Sequence, residues 1–266
     1  MDDDRPRLDT TKPFGARVYN YWLGGKDNFA ADREYGDAVA KTSPNIRIAA
    51  IENRRFLRRA VRVLTEAGIR QFLDIGTGLP TAGNTHEVAQ EIAPESRIVY
   101  VDNDPLVLAH ARALLTSHPA GATDYIEADL RDPDVILSAA ELRASLDLGQ
   151  PAALMLIAVL HFLVDDDVAY RAVDTLIKQL APGSYVAISH ATGDFWDPAR
   201  VDEVNATNEA HRMDFRFRSQ AEVARFFGDL PLIEPGIVPV AQWRPDGEPT
   251  ATQEDANIWA GVARVP

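Results

Sequence analysis

The residues Gln71-Phe72-Leu73-Asp74-Ile75-Gly76-Thr77-Gly78 decide the fold class of this chain. The apolar run that ends at Ile75 is typical of a buried parallel strand, and the glycines after it allow a tight turn into the next element. At Gly76 and Gly78 the absence of a Cβ also lets a ligand approach the main chain. An isolated glycine pair is more often a structural turn, so its interpretation depends on the surrounding sequence.

Strand and helix patterns alternate after this turn. The strand patterns cover residues 97–101, 124–128, 152–160 and 185–189, and the helix patterns cover residues 84–92, 105–115, 168–180 and 219–227. Before the turn, residues 46–67 have the apolar spacing of an amphipathic helix. Its five arginines predict a solvated polar face: Arg54, Arg55, Arg58, Arg59 and Arg62. The alternation predicts an α/β fold with a parallel sheet flanked by helices.

Two segments depart from this alternation. Residues 191–217 are polar, include a helix pattern and are too long for a routine loop, so they are a candidate cap over a site. Residues 233–243 and 258–265 are apolar and extended and predict a terminal hairpin. We therefore expect a flexible tail at 1–13, an N-terminal segment at 14–68 and an α/β core at 69–266.

Composition narrows the class of protein. A chain of 266 residues with 46% hydrophobic and 25% charged residues is typical of one large globular domain. Its net charge of −13 repels phosphate and anionic lipid, so we expect a small-molecule partner and neither a nucleic-acid nor a membrane partner. The absence of cysteine excludes disulfides and thiolate chemistry. Residues 1–12 lack an apolar core, which predicts a cytoplasmic protein; the oligomeric state stays open.

Carboxylates follow the second and third predicted strands. Asp102 can accept both hydroxyl hydrogens of an adenosine ribose, and Asp129 can accept from an adenine amino group while Leu130 packs on the ring. Each acid taken alone could be a surface residue or a helix cap. Because the carboxyl ends of parallel strands meet at one edge of a sheet, the two acids and the glycine turn together predict a nucleoside pocket.

Four segments resemble, in order and spacing, the motif series of class I S-adenosylmethionine-dependent methyltransferases. They are DIGTG at 74–78, VDNDP at 101–105, ADL at 128–130 and AVLHF at 158–162. The segment RVYNYWLGGKDNF at 17–29 is similar to a bacterial subgroup of these enzymes, a former domain of unknown function. The resemblance covers nearly the whole chain.

This resemblance implies a Rossmann-like sheet of seven mostly parallel strands with helices on both faces and an N-terminal helical lid. It also implies S-adenosylmethionine as cofactor, with the glycine loop at the methionine part, Asp102 at the ribose and Asp129 at the adenine. The cofactor-binding positions are Asp74, Gly76, Thr77, Gly78, Asp102, Asn103, Asp129, Leu130 and Ala158, and the lid positions are Tyr19, Tyr21, Lys26 and Asn28. The lid aromatics could equally pack a helix onto the sheet.

Two histidines are candidate general bases for an acceptor that must lose a proton. His161 follows the fourth predicted strand and His190 the fifth, both at the sheet edge where ligands bind in this architecture. Either could instead be a structural histidine. The segment His86-Glu87 begins like a zinc-protease helix, but Gln90 replaces the second histidine, so no metal site is predicted.

Two alternatives to a methyltransferase stay open at the level of sequence. A nicotinamide-dependent oxidoreductase is weakened because Thr81 stands where the dinucleotide fingerprint needs its third glycine. A non-catalytic S-adenosylmethionine-binding module would have the same pocket without turnover. The sequence does not identify a methyl acceptor.

Overall fold

The apolar strand patterns pair into one seven-stranded sheet. The structure is a computed structural model that describes residues 8–114 and 117–266. The strands are β1 (Gln71–Ile75), β2 (Arg97–Asp102), β3 (Ala122–Glu127), β4 (Ala153–Ile157), β5 (Tyr185–Ala191), β6 (Val238–Pro239) and β7 (Ile258–Arg264). Residues 1–7 of the predicted tail and the last residue of the predicted helix at 105–115 lie outside the described residues.

Helices connect the strands as the alternation predicted. They are α1 (Gly15–Trp22), α2 (Ala30–Thr42), α3 (Ile46–Glu66), α4 (Thr85–Ile92), α5 (Pro105–Leu114), α6 (Pro133–Ser138), α7 (Ala140–Ser145), α8 (Asp166–Ile177), α9 (Pro198–Ala210), α10 (Gln220–Arg225) and α11 (Gln253–Ala256). Short 3-10 helices lie at Leu160–Phe162 and Val240–Gln242. None of the helices described is long and apolar enough to cross a lipid bilayer.

The strand order β3-β2-β1-β4-β5-β7-β6 confirms the predicted fold class. Strands β1 to β5 pair in parallel, and β7 pairs antiparallel with β5 on one side and β6 on the other. Chain order reverses between β1 and β4, which opens a crevice at the carboxyl ends of these strands. Ligands of open α/β sheets bind at this position.

The sixth strand is much shorter than the sequence predicted. Residues 233–243 were expected to be extended throughout, but only Val238–Pro239 pairs with β7 and a 3-10 helix follows directly. Pro235 and Pro239 have no N–H to donate to a ladder, so this segment cannot form a long strand. The segment forms only a short strand at the edge of the sheet.

Two apolar layers cover the sheet because neighbouring residues of a strand point to opposite faces. Phe72 packs in the layer under α3, whereas Leu73 packs in the layer that includes residues of α6 and α8. Each layer is a continuous cluster of buried side chains. The core is therefore the sandwich of helix, sheet and helix that a doubly wound fold requires.

The arginine face of α3 is not uniformly solvated. Arg59 is 5% exposed, and its guanidinium donates to the carbonyls of Trp243 and Val240, both at 2.8 Å. The prediction of a polar surface is wrong at this residue because the C-terminal segment folds back over α3. Arg54 of the same helix lines the cavity described next.

Candidate active site

A cavity of about 360 Å³ lies at the carboxyl ends of the parallel strands. Its walls come from the loops after β1 to β4, and α1, α2, the start of α3 and α9 contribute further lining. Eleven of the residues singled out in the sequence line it: Tyr19, Asp74, Gly76, Thr77, Gly78, Asp102, Asn103, Asp129, Leu130, Ala158 and His161. The sequence motifs therefore converge on one space.

The glycine loop after β1 presents bare main chain to the cavity. Gly76 has φ +74° and Gly78 has φ +68°, a conformation that side chains rarely tolerate. A Cβ at Gly76 would lie 2.3 Å from Cγ2 of Val159, which also lines the cavity. Gly76 is therefore required both for its backbone conformation and for close packing against the loop after β4.

Asp102 at the end of β2 holds two loops together. One carboxylate oxygen accepts the Gly78 N–H at 2.9 Å, and the other accepts the Asp104 N–H at 2.9 Å. Since each carboxylate oxygen has two lone pairs, both retain one for a ligand. The side chain is buried, and this burial raises the pKa of Asp102 to about 6.

Asp74 in β1 is a second buried carboxylate of the cavity wall. It accepts the Thr85 hydroxyl at 2.6 Å, which ties the strand to the start of α4. Burial raises the pKa of Asp74 to about 6, although the Thr85 hydrogen bond and the nearby Arg54 act in the opposite direction. Two carboxyls with raised pKa values thus face the same cavity.

Asp129 lies two residues beyond the end of β3 and is already fully hydrogen-bonded. One oxygen accepts the main-chain N–H and Nε of Arg131, and the other accepts Arg131 Nη2 at 2.6 Å and Asn103 Nδ2 at 2.8 Å. Burial acts to raise the pKa of Asp129, but these hydrogen bonds lower it to about 2. A ligand donor can reach this carboxylate only by displacing part of the set, and the exposed Arg131 side chain is the most easily displaced.

A chain of buried hydrogen bonds supports the end of β4. Ala158 has φ +54°, a strained value for a residue with a Cβ. Its N–H donates to the Ser189 hydroxyl oxygen at 3.0 Å, and that hydroxyl donates to Asn53 Oδ1 at 2.6 Å. Asn53 Nδ2 in turn donates to the Tyr19 hydroxyl oxygen at 3.0 Å. The network joins α1, α3, β5 and the strained turn at the cavity.

Three predicted lid residues do not line the cavity. The Tyr21 hydroxyl donates to Asp37 at 2.7 Å, and Asn28 Nδ2 donates to Asn20 Oδ1 and to the Gly25 carbonyl, both at 3.0 Å. Lys26 is exposed. The Tyr21 and Asn28 side chains stabilise the packing of α1 on α2 and the turn after α1. Of the four predicted lid positions, the structure brings only Tyr19 to the cavity.

The two candidate histidines differ in their surroundings. His190 is fully buried and outside the cavity lining; its Nδ1 donates to the Ala191 carbonyl at 2.7 Å, and its Nε2 accepts from Arg218 at 3.0 Å. Burial lowers the pKa of His190 to about 3. Both ring nitrogens are engaged, so the prediction of His190 as a general base is corrected: this histidine is structural.

His161 lines the cavity, and its ring lies 4.5 Å from that of Phe162 and 4.7 Å from that of Phe215. Its Nδ1 is buried with no hydrogen-bond partner among the described residues. Burial, reinforced by His190 and Arg218, lowers the pKa of His161 well below its usual value. The imidazole is therefore neutral, and neither of its ring nitrogens is hydrogen-bonded to a described residue.

Sequence reasoning missed three groups of this site. Arg17 pairs with Asp104 in a buried ion pair, Asn53 and Ser189 form the network under Ala158, and Arg54 lines the cavity beside Asp74. Asp104 lies within the VDNDP segment at 101–105, which is a local signal that it belongs to the site. No local signal connects Arg17 to an acid that lies 87 positions further along the chain.

Comparison with protein families decides the identity of this fold and pocket. A family model described as S-adenosyl methyltransferase matches residues 1–266. The chain belongs to the S-adenosyl methyltransferase family. It is an S-adenosylmethionine-dependent methyltransferase, which argues against the nicotinamide-dependent oxidoreductase considered above.

Solved structures agree with this family. A DUF574 family protein from Streptomyces avermitilis is 48% identical, with a TM-score of 0.94 over 98% of this chain and 100% of that one. A candidate methyltransferase from Thermobifida fusca is 44% identical, with a TM-score of 0.89 over 100% and 99% of the two chains. An O-methyltransferase family protein from Burkholderia thailandensis, 17% identical with a TM-score of 0.51 over 85% and 61%, shares the fold. No protein of curated function matches the chain significantly.

Proposed function

We propose that this methyltransferase acts on a small molecule, which binds in the cavity beside S-adenosylmethionine. The observation that carries the proposal is the cavity itself, about 360 Å³ in volume, with the glycine loop in one wall and helices α1, α2 and α9 contributing to the others. This volume lies in the range of small-molecule sites and leaves little space for a polymer. The net charge of −13 also disfavours a nucleic-acid substrate.

Three features of the chain fit the cofactor. Gly76 and Gly78 expose main-chain atoms to a polar chain, and the free lone pairs of the Asp102 carboxylate suit the two hydroxyls of a ribose. Leu130 and Ala158 supply apolar contact for a purine ring. In this proposal the glycine loop and Asp74 hold the methionine part, and Asp102 with Asn103 holds the ribose.

The adenine end requires a local change. All lone-pair positions of Asp129 are occupied by Arg131 and Asn103, so an adenine amino group can be accepted only when Arg131 releases one oxygen. Arg131 is 59% exposed and can turn into solvent at little cost. Asn103 then keeps Asp129 oriented toward the base.

S-adenosylmethionine supplies, when bound, a methyl group on a sulfonium sulfur, and this sulfur keeps the electron pair of the C–S bond when the methyl group is transferred. The chain positions the reactants and excludes water. In favourable cases such positioning lowers the activation barrier of a displacement by about 7–11 kcal/mol. His161 contributes a neutral nitrogen that accepts a hydrogen bond from the acceptor's O–H or N–H and orients its lone pair. Among the described residues that line the cavity, only His161 carries an imidazole, and its Nδ1 has no hydrogen-bond partner there.

The proposal is tested by measuring S-adenosylhomocysteine release from S-adenosylmethionine in the presence of a broad panel of small molecules. DNA, RNA and denatured proteins form the comparison set, and heat-inactivated enzyme is the control. We expect turnover with members of the small-molecule panel and none with polymers. Turnover confined to a polymer would overturn the proposal.

A further inference from the structure

The cavity has an aromatic wall. The wall, defined as Phe162, Phe215, Phe217 and Trp196, continues from the ring of His161. Phe215 and Phe217 have ring centroids 5.0 Å apart, and Phe217 and Trp196 have centroids 5.7 Å apart. Adjacent rings of this kind favour an aromatic ligand, because planar rings pack edge-to-face or offset-stacked against one another.

Three polar atoms of buried residues in the cavity lining have no hydrogen-bond partner among the residues that the structure describes. They are Asn208 Nδ2, Ser43 Oγ and His161 Nδ1, and their residues, all at most 7% exposed, line the cavity. The Tyr35 hydroxyl donates to Asn208 Oδ1 at 2.7 Å, which orients the amide and leaves its N–H donors unpaired. Buried polar groups in folded proteins are nearly always hydrogen-bonded, so each unpaired atom indicates a missing partner.

The chemistry of the Asn208 amide and of the His161 ring indicates which ligand groups would pair with them. An amide N–H requires an acceptor such as a carbonyl or ether oxygen. A neutral imidazole nitrogen is matched in either tautomer by a hydroxyl, which both donates and accepts. The ligand therefore carries at least one hydroxyl and a second, accepting oxygen.

The helices that cover this part of the cavity contribute no charge to it. Helices α2 and α9 line the described cavity with Tyr35, Val39, Val204 and Asn208. The acids of the lining lie in β1, at the end of β2 and just after β3, apart from Asp214, which is exposed like Arg212. Burial of an unpaired ionised group in such a setting is costly, so this surface selects against charged ligands.

We propose that the aromatic wall and Asn208 form the acceptor subsite and select a neutral aromatic molecule that bears a hydroxyl and an accepting oxygen. The hydroxyl bonds to His161 Nδ1, and the second oxygen accepts from Asn208 Nδ2. This assignment rests on the proposed small-molecule function and adds the substrate class. It places the selectivity in the N-terminal helices and the 191–217 insertion.

The test uses two neutral phenols with a carbonyl group, 7-hydroxycoumarin and 4-hydroxyacetophenone, and the anion 7-hydroxycoumarin-3-carboxylate. Binding to the full-length protein saturated with S-adenosylhomocysteine is measured by fluorescence anisotropy, with competition for the non-fluorescent phenol, at mildly acidic pH. The site variants are Asn208→Asp, which keeps the Tyr35 hydrogen bond but removes the N–H donors, and Phe215→Leu. The control is Phe195→Leu, whose ring packs on Trp259 outside the cavity lining.

We expect both phenols to bind to the wild type and the Phe195 variant, and to bind at least about tenfold more weakly to each site variant. The anion should bind more weakly than its neutral parent. Equal binding by wild type and site variants, preference for the anion, or no phenol binding by protein that retains S-adenosylhomocysteine would overturn the substrate class alone. Failure to bind S-adenosylhomocysteine would overturn the proposed function as well.

The variants must be folded for these comparisons. Urea unfolding of each variant is measured first, and Asn208→Leu serves as a second substitution if Asn208→Asp does not unfold cooperatively. A variant that unfolds cooperatively and retains S-adenosylhomocysteine reports on the acceptor subsite. Retained phenol affinity in such a variant counts against the proposal.

Discussion

Arg17 and Asp104 form a buried bidentate ion pair that ties the first helix to the loop after β2. Arg17 Nε lies 2.7 Å from Asp104 Oδ2, and Arg17 Nη2 lies 2.9 Å from Asp104 Oδ1. The Asp104 main-chain N–H donates to the Asp102 carboxylate at 2.9 Å. Helix α1 and the carboxylate proposed to hold the ribose are therefore connected through a single residue.

The substitution Arg17→Met should destabilise the protein by about 3–5 kcal/mol, because it leaves the buried Asp104 carboxylate without its charged partner. Urea unfolding measures the change. The matched control is Lys178→Met, which removes an exposed ion pair with Asp174 and should cost no more than about 1 kcal/mol. Adding Asp104→Asn to Arg17→Met should recover part of the loss; equal stability of Arg17→Met and wild type would contradict the role of the pair.

The substitution Asp102→Asn should weaken S-adenosylhomocysteine binding by about 1–3 kcal/mol, since an amide cannot accept both loop N–H groups and two ribose hydroxyls. Isothermal titration calorimetry gives the affinity. Asp229→Asn, at an exposed position, is the control and should bind as the wild type does. An unchanged affinity of the Asp102 variant would remove this carboxylate from the cofactor site.

The substitution Gly76→Ala should abolish detectable S-adenosylhomocysteine binding, because a Cβ at this position collides with Val159 and φ is +74°. Gly68→Ala is the control for backbone strain, since Gly68 has φ +99° and no atom near its Cβ position. Both variants should lose about 1–3 kcal/mol of stability, but only the first should lose the ligand. Combining Gly76→Ala with Val159→Gly removes the side-chain atoms that the new Cβ would meet. Binding lost equally in this double variant would point to backbone strain alone.

Burial of Asp74 and Asp102 predicts a pH dependence of stability. Their pKa values of about 6 exceed the ordinary value of 3.8, so the folded protein binds more protons than the unfolded chain between about pH 4 and pH 6. The contribution of these groups to the free energy of unfolding is therefore full below about pH 4 and is lost as pH rises through 6. Asp129, whose pKa is lowered to about 2, affects stability only below this range of pH 4 to pH 6.

Urea unfolding at a series of pH values tests this linkage. The variant Asp74→Asn should show a smaller loss of stability between pH 4 and pH 6 than the wild type, because one of the two groups no longer titrates. Asp229→Asn should follow the wild type. An identical or steeper loss in the Asp74 variant would show that this carboxyl does not have a raised pKa.

Variants of the two histidines should have different effects: one on methyl transfer and the other on the stability of the fold. His161→Phe keeps a ring against Phe215 but removes the ring nitrogens, so methyl transfer should fall by about tenfold, the effect of one lost hydrogen bond, while S-adenosylhomocysteine binding is retained. His190→Phe should instead reduce stability, since Arg218 and the Ala191 carbonyl lose their partner. Transfer activity is followed with the best acceptor of the panel, and full activity of the His161 variant would exclude this residue from the reaction.

The pH dependence of the same reaction tests whether His161 stays neutral or becomes protonated in the range where the enzyme is assayed. Because the pKa of His161 lies well below its usual value, the imidazole stays neutral across the neutral range. The transfer rate should therefore show no loss attributable to histidine protonation between pH 6 and pH 8. An acid limb that is centred near pH 6.5 and disappears in His161→Phe would contradict this expectation.

The strand patterns and the glycine turn were readable from the sequence because they depend on local periodicity. Alternation of apolar runs with helix patterns predicted the parallel sheet, and positions at the ends of three strands predicted which acids meet. The prediction of one long strand at 233–243 was wrong because proline limits pairing there, and Arg59 was misplaced because its partners lie in the distant C-terminal segment. Errors occurred where the outcome depended on contacts between remote residues.

The sequence by itself determined the α/β class and the carboxylates at the ends of the strands, since the periodicity of strands and helices is a short-range pattern. Only the tertiary structure decided that His190 is sealed by Arg218 while His161 keeps a free nitrogen, and that Tyr19 rather than Lys26 reaches the cavity. Burial and hydrogen-bond partners are set by which distant segments pack together. The sequence therefore gives the chemical type of each residue, whereas the tertiary structure decides whether that residue can contact a ligand.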